Sequence, residues 1–108
     1  MNTTQENPQA EPARADIDQL PGATVLEFGA GWCGHCQAAQ PLIAAALAAY
    51  PQTRHIRIED GKGRRLGRTY AVKLWPTLIF LNNGTEIARL VRPLDSASIA
   101  AALHALNN

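Results

Sequence analysis

The sequence predicts an α/β fold, in which a mixed β-sheet made of a βαβ unit and a C-terminal β-hairpin is flanked by helices on both faces. Short apolar runs bounded by glycine or proline alternate with helical stretches in the order β-α-β-α-β-β-α. Asn83-Gly84 separates the last two apolar runs, and these residue types favour a tight hairpin because both tolerate positive φ. The length of 108 residues, 46% of them apolar, corresponds to a single domain.

The N-terminal stretch differs in composition from the rest of the chain. Residues 1–15 include two prolines and no Ile, Leu, Val or aromatic side chain, so they are predicted to form a flexible tail. The folded domain is expected over residues 16–108. Its first predicted element is a helical turn over 16–20, which ends at the turn-forming pair Pro21-Gly22.

The first half of the domain contains a strand, a long helix and a second strand. Residues 23–28 are mostly apolar and are followed by a glycine, which indicates a buried strand. The helix is predicted from Cys33 to about Tyr50, because apolar side chains recur there on one stripe. Pro41 is expected to kink this helix, since proline has no N–H to donate. Residues 55–58 are predicted as the next strand.

The second half contains a short helix, the hairpin and a closing helix. The short helix is predicted over 64–70 and is weakened by an internal glycine. The apolar run 77–81 and its partner 85–92 form the two hairpin strands. Either Asp95 or Ser96 caps the final helix, whose apolar side chains repeat at helical spacing.

Charge and composition exclude several classes of function. The net charge is +1, no nucleic-acid motif is recognised and no apolar run reaches 18 residues, so neither nucleic acid nor a membrane is expected as a partner. Two cysteines only three positions apart exclude a secreted disulfide framework. The N-terminus has neither the basic nor the apolar region of an export signal, which predicts a cytoplasmic protein. We expect a monomer.

The two cysteines lie where a strand ends and the long helix begins, in the segment Trp32-Cys33-Gly34-His35-Cys36. Positive potential at a helix N-terminus stabilises a thiolate, so Cys33 is expected to have a lowered pKa and to act as the nucleophile. Cys36 lies one turn further on, close enough to form a disulfide with Cys33 and less exposed. An attacking and a resolving thiol are what reversible thiol–disulfide exchange requires.

Five features at fixed spacings point to one family. They are an acid six residues before the first cysteine (Glu27), the WCxxC motif, Pro41 five residues after the second cysteine, the segment Trp75-Pro76-Thr77, and the Asn83-Gly84 hairpin with its terminal helix. With these features the chain resembles the thioredoxin superfamily over roughly residues 17–107. The CGHC sequence is similar to the active sites of protein disulfide isomerases, whereas the remainder looks like a small bacterial thioredoxin. Gly29 stands where thioredoxins usually carry an aromatic residue.

The resemblance implies a thioredoxin fold whose first strand and helix look truncated in this chain. It also implies a thiol-disulfide oxidoreductase that reduces or exchanges protein disulfides through Cys33 and Cys36, without a cofactor. The electron donor would be a thioredoxin reductase or the glutathione pool. Two alternatives stay open: a disulfide oxidase or isomerase, which His35 suggests, and a redox-inactive binding or metal-handling module with the same fold.

Two further side chains are candidates for catalytic roles. Burying Glu27 in an apolar strand is costly, which predicts a raised pKa. Glu27 would accept the proton of Cys36, or it would only pair with Arg57 on the adjacent strand. His35, as an imidazolium beside Cys33, would stabilise the thiolate and raise the reduction potential; the alternative is an exposed polar residue without a role.

The substrate-binding residues are expected around the cysteines. The resemblance implies a cis peptide bond before Pro76, where the backbone would pair with an extended substrate segment. Trp32 and Trp75 are expected to form an apolar docking rim rather than to be core. Gly34 and Arg92 are the remaining expected substrate-binding residues. Arg92 stands where thioredoxins have a glycine. No metal site is expected, because a CxxC pair needs two further ligands for zinc.

A basic segment follows the second predicted strand. Five cations occur within twelve residues with no acid between them: Lys62, Arg64, Arg65, Arg68 and Lys73. Such a run is usually a solvated face, and the alternative is electrostatic steering of an acidic protein partner.

Overall fold

The computed structural model describes residues 11–108. Its elements are, in chain order, α1 (Arg14–Asp18), β1 (Ala23–Gly29), α2 (Gly34–Leu47), β2 (Arg54–Glu59), α3 (Leu66–Thr69), β3 (Thr77–Asn82), β4 (Thr85–Val91) and α4 (Ser96–Leu106). The predicted order of strands and helices is confirmed. Of the tail predicted over 1–15, residues 1–10 lie outside the described part of the chain, and α1 begins inside the remainder.

Four strands form one mixed sheet in the order β2-β1-β3-β4. β1 pairs in parallel with β2 and antiparallel with β3, which in turn pairs antiparallel with β4. Within residues 11–108 no strand precedes β1, in keeping with the truncated start that the resemblance implies. None of the helices in this part of the chain is both long and apolar enough to cross a membrane.

Each face of the sheet carries its own apolar cluster. Val25 and Leu78 contribute to the cluster that includes side chains of α2 and α4. Leu26 and Ile79 point to the opposite face and join side chains of α1 and α3. Burial on both faces explains why β1 and β3 are nearly continuous apolar runs. Because side chains alternate along a strand, Glu27 lies on the same face as Val25, under α2.

The two long helices begin at residues whose side chains cap them. Cys33 is the N-cap of α2, which runs unbroken through Pro41 and ends three residues before the predicted end at Tyr50. Asp95 is the N-cap of α4, and its carboxylate accepts a hydrogen bond of 2.8 Å from the backbone N–H of Ser98. Both helices therefore start where the residue types predict.

The hairpin between β3 and β4 turns at the predicted residues. Asn83 and Gly84 have φ angles of 52° and 83°, the two positive values that a tight Asn-Gly turn requires. The side chain of Asn83 accepts a hydrogen bond of 2.8 Å from the backbone N–H of Gly22. A Cβ on Gly84 would collide with the carbonyl oxygen of Asp18, so this turn packs directly against the end of α1.

The segment before β1 is attached to α3. The Glu11 carboxylate accepts hydrogen bonds from the backbone N–H groups of Arg65 and Leu66, at 3.0 and 2.5 Å. Nη1 of Arg14 donates to the carbonyl oxygen of Thr69 at 2.7 Å. These contacts provide hydrogen-bond partners at both ends of a four-residue helix and attach the segment before β1 to it.

Candidate active site

The cysteine pair lies at the junction between β1 and α2, as predicted. Cys33 and Cys36 are both free thiols, and the backbone N–H of Cys36 donates to Sγ of Cys33 at 3.2 Å. The predicted difference in exposure is not present, because each residue is 6% exposed. Both belong to a small buried cluster with Ala30, and Trp75 packs against that cluster. Apolar cover over the pair therefore shields both cysteines from solvent.

The two thiols have opposite pKa shifts. Burial raises the pKa of Cys33, but hydrogen bonds from the thiol and backbone N–H of Cys36 and from the backbone N–H of His35 outweigh it and lower the pKa. The positive charge of Arg92 acts in the same direction. Burial, followed by the hydrogen bond to Cys33, raises the pKa of Cys36 to about 12. The order of the two pKa values matches the prediction from helix position.

His35 contributes to the site through its backbone. Its N–H group is one of the donors that lower the pKa of Cys33. The side chain is exposed, and within residues 11–108 the imidazole forms no hydrogen bond or ion pair. That the charge of the His35 imidazolium stabilises the Cys33 thiolate and raises the reduction potential stays a prediction.

Glu27 is buried at the end of a polar network that reaches the backbone of Cys36. Oε1 of Glu27 lies 2.7 Å from Nε2 of His55, and Oε2 accepts a hydrogen bond of 2.6 Å from Gln40. The same Gln40 amide donates to the carbonyl oxygen of Cys36 at 3.1 Å. Nε of Arg57 is 3.9 Å from Oε1, so the predicted pair with Arg57 exists but is the more distant contact.

The raised pKa predicted for Glu27 is wrong. Burial does raise it, but hydrogen bonds from His55 and Gln40, and then the charges of His55 and Arg57, outweigh burial and hold the pKa of Glu27 below its ordinary value. The sequence contained a signal for the two missed partners. His55 shares a face with Arg57 in a strand of period two, and Gln40 follows Cys36 by one helical turn.

The two tryptophans flank the cysteine pair and meet there as a tryptophan rim, and the docking of substrate on this rim stays a prediction. Trp32 is 75% exposed, so it is not a core residue. Its ring meets the ring of Trp75 edge to face, with centroids 5.5 Å apart and an interplanar angle of 74°. Nε1 of Trp75 donates to Oδ2 of Asp60 at 2.9 Å, which fixes that ring in place. The rim therefore consists of one exposed and one anchored ring.

The peptide bond between Trp75 and Pro76 is cis, as predicted. Arg92 lies against it: its backbone N–H donates to the carbonyl oxygen of Pro76 at 2.9 Å, and its Nε donates to that of Trp75 at 2.8 Å. Arg92 has a φ of 51°, in the left-handed region that favours glycine, the residue that the resemblance places here. Gly34 lies in the first turn of α2, where an added Cβ would meet open space.

Gly29 ends β1 beside the second sulfur. A Cβ at this position would lie 2.6 Å from Sγ of Cys36, closer than such atoms approach. The aromatic residue usual in thioredoxins would therefore require Cys36 to move.

Within residues 11–108 no three His, Cys, Asp or Glu side chains come together as a metal site.

The fold and its cysteine pair define a class of small thiol-disulfide oxidoreductases, and comparison with known proteins agrees. The thioredoxin family model matches residues 7–105, so the chain belongs to the thioredoxin family. Thioredoxin from Chlamydia trachomatis is 31% identical over 78 residues, which are 72% of this chain and 76% of that protein. Human protein disulfide-isomerase A2 is 39% identical over 84 residues, covering 72% of this chain and 16% of that protein.

One solved structure is similar to this chain over most of the length of both proteins. Thioredoxin 2 from Pseudomonas aeruginosa PAO1, in its reduced form, superimposes with a TM-score of 0.80 at 54% identity, and the match covers 88% of each chain. The thioredoxin fold with a four-stranded mixed sheet is thereby confirmed. The chain is a thiol-disulfide oxidoreductase with a redox-active cysteine pair.

Proposed function

We propose that this protein reduces disulfide bonds of other proteins, with Cys33 as the attacking thiol and Cys36 as the resolving thiol. The observation that carries the proposal is the opposite pKa shift of the two thiols, together with the 3.2 Å hydrogen bond that the backbone N–H of Cys36 donates to Sγ of Cys33. Near neutral pH, Cys33 reaches the reactive thiolate form more readily than a free thiol. Cys36 keeps its proton, so it does not compete for the substrate disulfide.

The reaction proceeds in two exchanges. The Cys33 thiolate attacks one substrate sulfur, a mixed disulfide forms, and the other substrate sulfur leaves as a thiolate that takes a proton from water. Cys36 then loses its proton and attacks Sγ of Cys33, which releases the second substrate thiolate. Two electrons pass from the dithiol to the substrate, and Cys33 and Cys36 end as a disulfide.

The second exchange depends on a base, because a thiol with a pKa of about 12 is almost wholly protonated at neutral pH. We assign this role to Glu27, whose negative charge contributes to the raised pKa of Cys36. Gln40 bridges the carboxylate and the backbone of Cys36. His55, with a 27% exposed side chain, connects the buried acid with solvent, where the proton leaves.

Substrate docking is assigned to the tryptophan rim and the segment at Pro76. An extended substrate segment would pair with the backbone at Trp75, in the manner of an added strand. The carbonyl oxygen of Trp75 already accepts a hydrogen bond from Arg92. A carbonyl oxygen has two lone pairs, so substrate and Arg92 would share this acceptor, and the guanidinium would stay beside the reacting sulfur.

An insulin-reduction assay with dithiothreitol tests the proposal. The wild-type protein should accelerate precipitation of the insulin B chain, and Cys33→Ser should be no faster than dithiothreitol alone. Equal rates for the two proteins would favour a redox-inactive binding module. Zinc analysis of the purified reduced protein tests the metal-handling form of that alternative.

The direction of electron flow and the donor need separate assays. The CGHC sequence and the match to a human protein disulfide-isomerase favour isomerase activity as a second candidate. Recovery of activity by scrambled ribonuclease measures it directly. For net reduction, the donor would be a thioredoxin reductase or the glutathione pool in the cytoplasm, where thiols are kept reduced. Parallel assays with each purified donor system identify which one restores the dithiol.

A further inference from the structure

A basic groove adjoins the tryptophan rim. It has a volume of about 300 Å³ and lies between the loop 60–64, which follows β2, and the segment 68–75. Its charged and aromatic lining residues are Asp60, Lys62, Arg64, Arg68, Lys73 and Trp75. This surface contains four of the five cations of the basic segment, which the reaction at the cysteines does not use.

Three of the groove cations are available to a ligand. Lys62, Arg68 and Lys73 are exposed, and within residues 11–108 none of them forms an ion pair. Arg64 differs, because its Nε lies 3.2 Å from the carboxylate of Glu11. The single acid of the lining, Asp60, accepts a hydrogen bond from the indole of Trp75. The groove therefore presents a net positive charge toward solvent.

Trp75 belongs to both the groove and the active site. It lines the groove, packs against the cysteine cluster and meets the ring of Trp32. An extended chain advances about 3.3 Å per residue. A substrate whose disulfide lies at Cys33 and whose backbone runs past Pro76 would cross Trp75 and place residues a few positions away over the groove.

We propose that this groove binds an acidic segment beside the target disulfide, so that the protein favours substrates with Asp or Glu clusters a few residues from the reactive cysteine. The proposal rests on the proposed reduction of protein disulfides. Carboxylates complement the three exposed cations, and opposite charges at an open groove raise the rate of encounter at a low desolvation cost. Because Trp75 lines the groove and packs against the cysteine cluster, a segment bound in the groove would lie beside the reacting sulfur.

Two disulfide-linked peptide probes test the preference. They are identical except that one carries an Asp-Glu-Asp-Glu flank and the other a Ser-Gln-Ser-Gln flank, and kcat/KM is measured with excess dithiothreitol as the electron source. At low salt we expect the acidic probe to be favoured by about fivefold to tenfold, since exposed ion pairs are individually weak. The preference for the acidic probe should fall in 0.5 M NaCl, because the screening length there is only about 4 Å.

Charge variants locate the effect. Lys62→Gln/Arg68→Gln/Lys73→Gln should abolish the preference and leave kcat/KM for the neutral probe unchanged. Arg68→Gln and Arg65→Gln form a matched pair, because both residues are exposed cations at or beside α3 and only Arg68 lines the groove. The first should reduce the preference and the second should preserve it.

The remaining outcomes separate the two proposals. If the wild-type protein reduces both probes equally, or if the triple variant keeps the preference, the groove does not select acidic segments. If neither probe is reduced faster than by dithiothreitol alone, the proposed function itself fails. Binding of a single-stranded oligonucleotide that the triple variant loses, without any preference for the acidic probe, would instead assign the groove to nucleic acid.

Discussion

At the scale of single residues, the chemistry of the site depends on how two neighbouring sulfurs acquire different pKa values. Two backbone N–H groups and a thiol hydrogen bond favour the thiolate at Cys33, whereas Cys36 donates to its neighbour and gains little stabilisation as an anion. Burial opposes ionisation of both thiols: at Cys33 the accepted hydrogen bonds outweigh it, whereas at Cys36 burial is the largest cause of the raised pKa.

Alkylation and trapping test this assignment. Iodoacetamide near neutral pH should label Cys33 first, with a pH dependence that gives a pKa below the free-thiol value of about 8.5. Peptide mass spectrometry at successive times measures the order. Cys36→Ser should accumulate mixed disulfides with substrates in cells, and Cys33→Ser should trap none. Faster labelling of Cys36, or equal trapping by the two variants, would reverse the roles.

Replacing Glu27 with Gln should slow resolution of the mixed disulfide by about 100-fold, because general-base catalysis commonly contributes at least that factor. The initial attack by Cys33 should change little. Single-turnover kinetics with a chromogenic disulfide separate the two steps. If the rate of resolution is unchanged, the acid has only a structural role.

The hydrogen bond from His55 to Glu27 should determine the pH below which resolution of the mixed disulfide becomes slow. His55 helps to lower the pKa of Glu27, so His55→Leu should raise that pKa. Glu27 accepts a proton only when ionised, and therefore the rate of resolution should begin to fall at a higher pH in the variant as the solution is acidified. His104→Leu is the control, since His104 is an exposed residue of α4. Coinciding profiles for wild type and His55→Leu would contradict the prediction.

At the scale of elements, α3 is short and contains Gly67. It packs against Asp60, a residue of the preceding loop that anchors Trp75 of the tryptophan rim. A Cβ on Gly67 would lie 2.5 Å from Oδ1 of Asp60, and the other oxygen of Asp60 accepts the hydrogen bond from Trp75. The glycine therefore provides space for the Asp60 carboxylate at the cost of helix propensity.

Gly67→Ala should lower the free energy of unfolding by about 1 kcal/mol despite the better helix propensity of alanine, because the Asp60 carboxylate must turn away and lose the hydrogen bond from Trp75. Gly34→Ala is the matched control, because Gly34 is also helical and has open space around it. That variant should be neutral or more stable by up to about 1 kcal/mol. Urea denaturation followed by circular dichroism measures both, and equal effects would contradict the steric argument.

The elements that the sequence predicts correctly are those with a local cause. Continuous apolar runs predict β1 and β3, and the Asn83-Gly84 pair predicts the hairpin, because each pattern lies within a few adjacent residues. The contacts of Glu11 with α3 join residues more than fifty positions apart. The network at Glu27 likewise depends on which strand lies beside β1. Such long-range pairs determine the pKa of the acid and attach Glu11 to α3, and a local pattern indicates only which side chains share a face, not which element they meet.

At the scale of the whole molecule, the reduction potential decides whether the protein donates or withdraws electrons. We expect a value between those of thioredoxin, about −270 mV, and protein disulfide isomerase, about −180 mV, because a stabilised Cys33 thiolate favours the reduced form. Equilibration with glutathione buffers measures it. His35→Ala keeps the backbone N–H and removes the imidazole, so it should lower the potential. An unchanged value would leave the backbone as the only contribution of His35.

The meeting of Trp32 and Trp75 has an optical consequence. These are the two tryptophans of the chain, and both lie beside the cysteine pair with their rings in contact. Indole emission from this protein therefore comes entirely from the reactive end of the molecule, without background from the rest of the fold. Formation of the disulfide, or arrival of a substrate on the rim, changes the surroundings of both fluorophores at once. The molecule thus contains its own label-free reporter, with which each half-reaction can be followed in real time.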